Sequence, residues 1–247
     1  MLDVTATLDL VPLFETHHAL RAIVDAVLEG RQGSAVRDGD AARLSLGCYE
    51  VFGGDASSAA ARRLVAGAAR PRELIFGNDD AWRRTIVEVH GDGVFDRPML
   101  EYDASALDAA TLARFEDGLA AGFELRRLDA ALAAQLDREL EPHGLQVFRD
   151  ARDFAERGVG FGAVSEGRLA CAATSYTLSS RRLEVAIATR AAYRGRGLAM
   201  AVAAALMRWS LGEGLVPCWS ASNPVSQRLA LRLGYRPGGT CEVLYLR

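Results

Sequence analysis

The sequence contains no lysine, so all 29 basic side chains of the 247-residue chain are arginines. The protein therefore carries no lysine amine that it could modify in itself. With 32 acidic side chains, its formal net charge is −3. This balance argues against nonspecific nucleic-acid binding, which depends on clustered basic charge. We accordingly predict no nucleic-acid partner.

Cysteine is scarce, and the usual metal-binding motifs are missing. Four cysteines without CxxC spacing exclude a disulfide-stapled scaffold and indicate free thiols. The histidines form no HExxH or similar pattern. The adjacent His17 and His18 would point about 100° apart on a helix, which suits a shared metal ion poorly. We therefore predict no metal site.

Long hydrophobic runs are missing too. The longest uncharged apolar run, residues 198–207, is about half as long as a membrane-spanning helix. The N-terminus lacks the basic and apolar regions of a secretory signal. We expect a cytoplasmic protein with no membrane partner. Half of its residues are hydrophobic and 25% are charged, a globular composition whose length allows one large or two modest domains.

The pattern of predicted helices and strands divides the chain into two predicted domains, residues 1–121 and 122–247. The first is expected to be a smaller α/β domain, in which Pro98 favours an edge strand. Its predicted elements are helices over 14–28, 56–69 and 107–119, strands over 44–52, 73–76 and 94–102, and a segment over 82–90 that fits either type.

The second domain shows a more regular pattern, in the order β-α-α-β-β-β-α-β-α-β-β. We predict that it belongs to the α/β class. Its predicted strands are 123–128, 159–165, 168–178, 182–189, 216–221, 235–240 and 241–246, and its predicted helices are 129–140, 150–157, 198–211 and 224–233.

One segment of this domain, residues 183–199, has a composition that suits anion binding. It runs from a strand through a turn rich in arginine and glycine into a helix. The N-terminus of a helix presents unpaired N–H groups and a partial positive charge, and glycines let the backbone approach an anion closely. The turn is neither a P-loop nor a GxGxxG fingerprint. We interpret it as a phosphate-binding loop of a size that fits a pyrophosphate.

Two motifs in this order of elements resemble the GNAT superfamily of acetyl-CoA-dependent N-acetyltransferases. The turn Arg194-Gly-Arg-Gly197-Leu-Ala199 matches that family's R/Q-x-x-G-x-G/A pattern. The segment 223–235 matches its second signature, an asparagine, a short helix and then Leu-Gly-aromatic. The resemblance covers about residues 122–247. It implies a mixed central sheet flanked by helices, acetyl-CoA as cosubstrate and an amine acceptor. The whole chain also resembles a GNAT subgroup with an extra N-terminal domain, which is expected to help shape the acceptor pocket.

The resemblance also implies roles for individual residues. Main-chain groups of a strand edge would pair with the pantetheine arm of the cofactor, and amides of the loop would hold its pyrophosphate. Asn223 would hydrogen-bond the pantetheine, with Ser226 adding a contact. The alternative for Asn223 is a plain helix N-cap, and the two roles can coexist. The strand residues are Ile187, Ala188 and Thr189, and the loop residues are Arg194, Gly195, Arg196, Gly197, Leu198 and Ala199.

Acid–base chemistry is expected from the strand before the loop. The attacking amine must lose a proton, and the resemblance makes Glu184 the candidate base. It shares a strand face with Ala186 and Ala188, whose small side chains would leave room for a ligand. The alternative is a glutamate that pairs with a neighbouring arginine. Many family members carry a tyrosine seven residues after the asparagine as general acid, but here that position is Ala230, so no acid is assigned.

These observations leave two functions open. The first is an N-acetyltransferase that acts on a primary amine of a small molecule or peptide by direct attack in a ternary complex. The second is a catalytically weak module that senses acyl-CoA. Trp219, near Asn223 in sequence, fits either core packing or a substrate pocket. The acceptor, and whether the protein is a monomer or a homodimer, cannot be derived from the sequence.

Overall fold

The computed structural model describes residues 9–15, 17–18, 20–68, 72–75, 79–141 and 144–247. The chain forms two compact units. The N-terminal unit comprises residues 1–101, 220–222 and 238–247, and the central unit comprises residues 102–219 and 223–237. The predicted division after residue 121 remains a prediction about domains. The two units differ from it because residues 102–121 belong to the central unit and the end of the chain belongs to the N-terminal unit.

The described part of the N-terminal unit contains a six-stranded sheet in the order β1-β2-β3-β4-β13-β5, with three α-helices. Strand β13 is antiparallel to both β4 and β5. The strands are β1 (Ser34–Asp38), β2 (Ala41–Leu46), β3 (Tyr49–Gly54), β4 (Arg72–Ile75), β5 (Val94–Asp96) and β13 (Val243–Leu246), and the helices are α1 (Arg21–Leu28), α2 (Ala59–Ala66) and α3 (Asp80–His90).

The core of this unit explains why the last strand lies there. Phe52 and Trp82 are fully or almost fully buried, with ring centroids 5.4 Å apart. Leu244 and Leu246 of β13 belong to the same buried cluster. Burying these leucines removes apolar surface from water, at about 25 cal/mol per Å². The C-terminal strand therefore completes the hydrophobic core of the N-terminal unit.

Several predictions for the N-terminal half were wrong in detail. The strand expected over 44–52 is the hairpin of β2 and β3, because Gly47 has φ 56° and turns the chain. The strand expected over 94–102 is broken at Pro98 into β5 and β6 (Met99–Asp103), and β1 was not predicted. Pro98 thus ends an edge strand, since β5 lies at the edge of its sheet.

The helical predictions of this half were too long. A 3-10 turn, Val11–Phe14, and α1 lie within or beside the helix expected over 14–28. The segment 82–90 is part of a helix, α3. The predicted ends at Ala69 and Phe76, like Thr16 and Ala19, lie outside the described residues.

Over residues 122–247, the predicted order of elements is confirmed, and most boundaries agree within a few residues. The helix expected over 129–140 is an α-helix over Ala130–Gln135 that continues as a π-helix over Leu136–Leu140. The α-helices of the central unit are α4 (Ala109–Asp117), α5 (Ala130–Gln135), α6 (Ala151–Arg157), α7 (Leu198–Gly212) and α8 (Pro224–Leu233). The strands are β7 (Glu124–Arg127), β8 (Gly160–Ser165), β9 (Arg168–Leu178), β10 (Arg182–Thr189) and β11 (Val216–Ala221). Strand β12 (Arg236–Cys241) follows α8 in the chain.

The sheet to which these strands belong has seven members, in the order β12-β6-β11-β10-β9-β8-β7. It mixes antiparallel pairs with the parallel pair of β10 and β11. One cluster of buried side chains joins α5 and α6 to the sheet, including Leu132, Phe154 and Ala172. The predicted class, an α/β fold with a mixed central sheet flanked by helices, is therefore confirmed.

No helix in the described part of the chain is long and apolar enough to span a membrane.

Candidate active site

The arginine–glycine loop lies between β10 and α7, as predicted. Gly195 has φ 78° and Gly197 has φ 77°, a left-handed conformation that other residues adopt only with strain. A Cβ atom built on either glycine would meet no atom within 4 Å. The two glycines are therefore needed for backbone conformation, and the space beside them is open.

Helix α7 begins at this loop without a side-chain cap. The other four α-helices of the central unit each have a carboxylate or amide oxygen accepting N–H bonds at their start. The caps are Asp108, Asp129, Asp150 and Asn223. The first N–H groups of a helix have no partner within it and carry partial positive charge. The start of α7 is therefore suited to an anion supplied by a ligand.

The loop arginines differ in their contacts. Arg190 donates to the carbonyl of Leu169 at 3.2 Å and to the carboxylate of Glu139 at 3.0 Å. Arg194 and Arg196 are exposed. The Nε of Arg194 donates to the carbonyl of Thr189 at 3.3 Å. Arg190 is thus held by a carboxylate, whereas two exposed guanidinium groups stand at the loop that leads into α7.

Arg196 lies over an aromatic ring. Its Cζ atom is 5.4 Å from the centroid of the Tyr193 ring. That ring in turn meets the ring of Phe123 edge-on, with 5.5 Å between centroids. A cation–π contact of this kind restricts the side chain while leaving its N–H groups available.

Strand β10 parts from β11 just before the loop. The parallel pairing covers only Arg182–Glu184, whereas the antiparallel pairing with β9 continues to Thr189. The N–H of Arg190 donates to the carbonyl of Ala170. Because main-chain groups alternate along an antiparallel strand, those of Ala188 face β9, and those of Ile187 and Thr189 face the opposite edge. That edge, where β11 no longer pairs, offers main-chain groups to a ligand.

Glu184 lies at the last position where β10 pairs on both sides. Its cross-strand neighbours are Thr177 on β9 and Cys218 on β11, and the register shifts directly after it. Such irregularities commonly redirect a side chain beside an active site. The residue is only 5% exposed. Ala188, expected to leave room for a ligand on this face, is half-buried and packs against the cluster of α5 and α6.

Asn223 and Ser226 lie in the first turn of α8. The side-chain oxygen of Asn223 accepts from the N–H groups of Val225 at 3.1 Å and of Ser226 at 2.9 Å. Asn223 is therefore the N-cap of α8. This role uses the oxygen of its side-chain amide and does not use the NH₂ group. The Ser226 hydroxyl accepts from the indole N–H of Trp219 at 3.0 Å.

The position of α8 at which many family members carry a tyrosine is occupied by Ala230. Ala230 is fully buried. The hydroxyl of Tyr235, just beyond the helix, donates to the carbonyl of Pro217 at 2.9 Å. Burial, with added effects of the neighbouring Cys218 and Glu184, raises the pKa of Tyr235 well above its usual value. Its proton is therefore held inside the protein.

Within the described residues, no group of three or more histidine, cysteine or acidic side chains is arranged to hold a metal ion.

Comparison with known proteins decides the family. The family model described as GNAT acetyltransferase matches residues 11–244. The chain belongs to this family. Membership confirms the predicted family and its class, acyltransferase. The model spans both units of this GNAT protein, so the family extends well beyond the half of the chain in which its motifs were recognised.

Individual relatives agree with this assignment. The chain is 26% identical over 173 residues to a Bacillus subtilis (strain 168) protein described as uncharacterized N-acetyltransferase YdfB. That match covers 67% of this chain and 62% of YdfB, so the chain spans less than two thirds of that relative.

Among solved structures, it resembles a GCN5-related N-acetyltransferase-like protein from Streptococcus suis 89/1591. The TM-score is 0.85 at 26% identity, over 99% of this chain and 100% of the other. A GCN5-related N-acetyltransferase from Kribbella flavida shares the fold. Its TM-score is 0.62 at 17% identity, over 93% of this chain and 96% of the other.

Sequence reasoning missed the contact between Trp219 and Ser226. The two residues are seven positions apart on a strand and a helix, so no periodic pattern relates them. The only signal was the closeness of Trp219 to the predicted asparagine.

Proposed function

We propose that this GNAT protein transfers an acetyl group from acetyl-CoA to a primary amine of a small molecule or peptide, by direct attack in a ternary complex. One observation carries the proposal: α7 starts without a side-chain cap, at two left-handed glycines with open space beside them. This is the arrangement that binds a pyrophosphate through backbone amides.

The loop would hold the pyrophosphate. Amides from Arg194 to Ala199 supply hydrogen-bond donors, and the exposed guanidinium groups of Arg194 and Arg196 add formal positive charge. Hydrogen bonds between ionised partners are about twice as strong as neutral ones. Arg190 would remain with Glu139, its partner in the protein.

The strand edge would hold the pantetheine arm. Of the three strand residues implied by the family resemblance, Ile187 and Thr189 direct main-chain groups away from β9, whereas Ala188 does not. The amide NH₂ of Asn223 adds a donor, because its oxygen is engaged by the helix. The acyl end would then lie towards Glu184, where β10 and β11 part.

Glu184 would act as general base. The amine nitrogen attacks the thioester carbonyl carbon, the carbon–sulfur bond breaks, and the carboxylate accepts the amine proton directly or through water. The leaving thiolate takes up a proton from solvent. Its parent thiol has a pKa close to that of a cysteine, about 8.5, so a dedicated acid is not required. This accounts for an active enzyme with alanine at position 230.

A thermal-shift comparison of acetyl-CoA, free coenzyme A and ATP tests the proposal. A ligand at 100 times its Kd stabilises the folded protein by about 2.7 kcal/mol, which corresponds to several degrees for a chain of this size. We expect both coenzyme A species to raise Tm and ATP to leave it unchanged. No shift with either coenzyme A species would contradict the proposal.

A catalytically weak acyl-CoA sensor is the second candidate, favoured by Ala230 at the position of the usual tyrosine. A panel of amines, followed by release of free thiol from acetyl-CoA, separates the two. Tight binding with no turnover on any amine would support the sensor. Efficient turnover would exclude it.

A further inference from the structure

Trp219 connects β11 to the first turn of α8. Its indole N–H donates to the Ser226 hydroxyl at 3.0 Å, and its side chain is 4% exposed. The Trp219 ring packs on that of Tyr235, with 5.5 Å between centroids. Tyr235 is itself 3% exposed and bonded to the carbonyl of Pro217. The indole is therefore held rigidly, and the direction of its N–H is set by the core.

This contact determines what the Ser226 hydroxyl can offer. An indole N–H is only a donor, so the serine oxygen must accept. The hydroxyl hydrogen is then directed to a second partner. Asn223 is likewise able to donate. Its side-chain oxygen accepts from the N–H groups of Val225 and Ser226, and the helix cap does not use its NH₂ hydrogens. Two neighbouring side chains thus present hydrogen-bond donors.

We propose that Trp219 is a positioning residue, which orients the Ser226 hydroxyl so that it donates to an amide carbonyl of the pantetheine arm. This inference rests on the proposed function. The first turn of α8 would then prefer a ligand group that accepts hydrogen bonds, such as a carbonyl. Trp219 would neither serve only in core packing nor line a substrate pocket. A ligand without the pantetheine arm gains nothing from the contact.

Calorimetric titration of the full-length protein tests the inference without an identified acceptor. The probes are coenzyme A and 3′-phospho-ADP, which keeps the nucleotide and pyrophosphate but lacks pantetheine. The variants are Trp219→Phe, which removes the N–H and keeps an aromatic ring, Ser226→Ala, and the two combined. Trp209→Phe is the matched control. It is the tryptophan of α7 that packs under Arg127.

We expect each single variant to raise the Kd of coenzyme A about 2- to 10-fold, the range for one lost hydrogen bond. The Kd of coenzyme A for the double variant should equal that of the single variants, because the two substitutions remove the same interaction. The Kd of 3′-phospho-ADP, and all values for Trp209→Phe, should equal those of the wild type.

Three results would overturn the inference. The first is an unchanged Kd of coenzyme A in Trp219→Phe. The second is an equal loss for both probes, which would indicate only a structural role for the indole. The third is a double variant whose effect is the product of the singles. Wild-type protein that fails to bind coenzyme A would overturn the proposed function and this inference together, whereas the other results leave the proposed function intact.

Discussion

Two of the described α-helices, α1 and α7, begin without a side-chain cap, and they complete their first turns in different ways. Both follow a left-handed residue, Leu20 with φ 50° and Gly197 with φ 77°. At α1, the N–H of Leu20 donates to the carboxylate of Glu101 at 2.6 Å. At α7, the neighbouring side chains are the exposed Arg194 and Arg196.

The surroundings extend this contrast. Near the start of α1, His17 is 3% exposed, and Arg21 donates to the carbonyls of Phe14 and His17. The glycines before α7 have open space beside them. The same positive helix end thus receives an internal carboxyl group in one unit and is left accessible in the other. We expect changes at α7 and on β10 to alter binding or turnover, and changes at α1 to alter stability.

The largest expected effect concerns the strand that leads to α7. Glu184→Gln keeps the shape of the side chain but cannot accept a proton. Turnover should fall about 10²- to 10⁴-fold, with the Kd of acetyl-CoA unchanged, as measured by steady-state kinetics and calorimetry. Glu116→Gln is the control, a shielded carboxylate of the same unit that pairs with Arg208. Little change in the rate of Glu184→Gln would return that residue to a structural role.

Gly197→Asp would place a carboxyl group of the protein at the start of α7, as Glu101 already does at α1. The new carboxylate would stand where the pyrophosphate is proposed to bind. At about 4 Å and an effective dielectric constant of 20, like charges repel by about 4 kcal/mol. We expect the Kd of acetyl-CoA to rise at least about 100-fold in calorimetry.

Gly214→Asp is the matched control for this change. Gly214 has φ 70° and similarly open surroundings but lies beyond the end of α7. It should therefore reproduce the backbone strain without the loss of affinity. Equal affinity in both variants would show that the loop does not bind the cofactor.

At α1, the expected effect is on stability. Burial lowers the pKa of His17 to about 4, against opposing effects of the Phe52 carbonyl and Asp79, with smaller lowering effects of Arg21 and His18. Between about pH 4 and pH 6.5, the unfolded chain therefore binds a proton that the folded chain does not. Stability is full above pH 6.5 and falls as the pH is lowered.

Between pH 6.5 and pH 5, this loss amounts to about 2 kcal/mol. Urea unfolding at a series of pH values should show that His17→Gln lacks this part of the slope. His18→Gln, which alters the exposed neighbour, should keep it. A wild-type slope in His17→Gln would contradict the assignment.

The smallest effect is expected for Glu101→Gln. Burial raises the pKa of Glu101, although the hydrogen bond from Leu20 opposes the shift. The folded state thus favours the protonated carboxyl, and stability falls as the pH rises above the usual carboxyl range. The amide oxygen of the variant can still accept from Leu20. We expect Tm at pH 8 to change by only a few degrees, and the decline between pH 5 and pH 8 to be reduced. A steeper decline would contradict this.

The sequence predicted the central unit better than the N-terminal unit, for physical reasons. In the central unit, glycines such as Gly212 and Gly234 end helices, and the turn of Glu166 and Gly167 joins β8 to β9, so local signals coincide with element ends. In the N-terminal unit, the turn at Gly47 and the break at Pro98 lie inside stretches that were each predicted as a single strand, because one glycine or proline can also mark an irregular or edge strand. Periodicity alone cannot divide such a stretch.

The candidate site shows the same limit. The loop from Arg194 to Ala199 and the cap at Asn223 were recognisable, because each depends on residue types at short spacing. That Ala188 directs its main-chain groups to β9 depends on the register of two strands. The contact of Trp219 with Ser226 depends on how a strand and a helix pack. Neither leaves a signal in a single sequence.

The sequence alone therefore determined the order of elements over residues 122–247, the arginine–glycine loop between a strand and a helix, and the family. Local backbone preferences and short motifs carry this information. Tertiary structure decided where β10 parts from β11, which carboxyl group reaches the start of α1, and that β13 completes the N-terminal sheet. These features join segments far apart in the chain, and only the packing of one against another selects them.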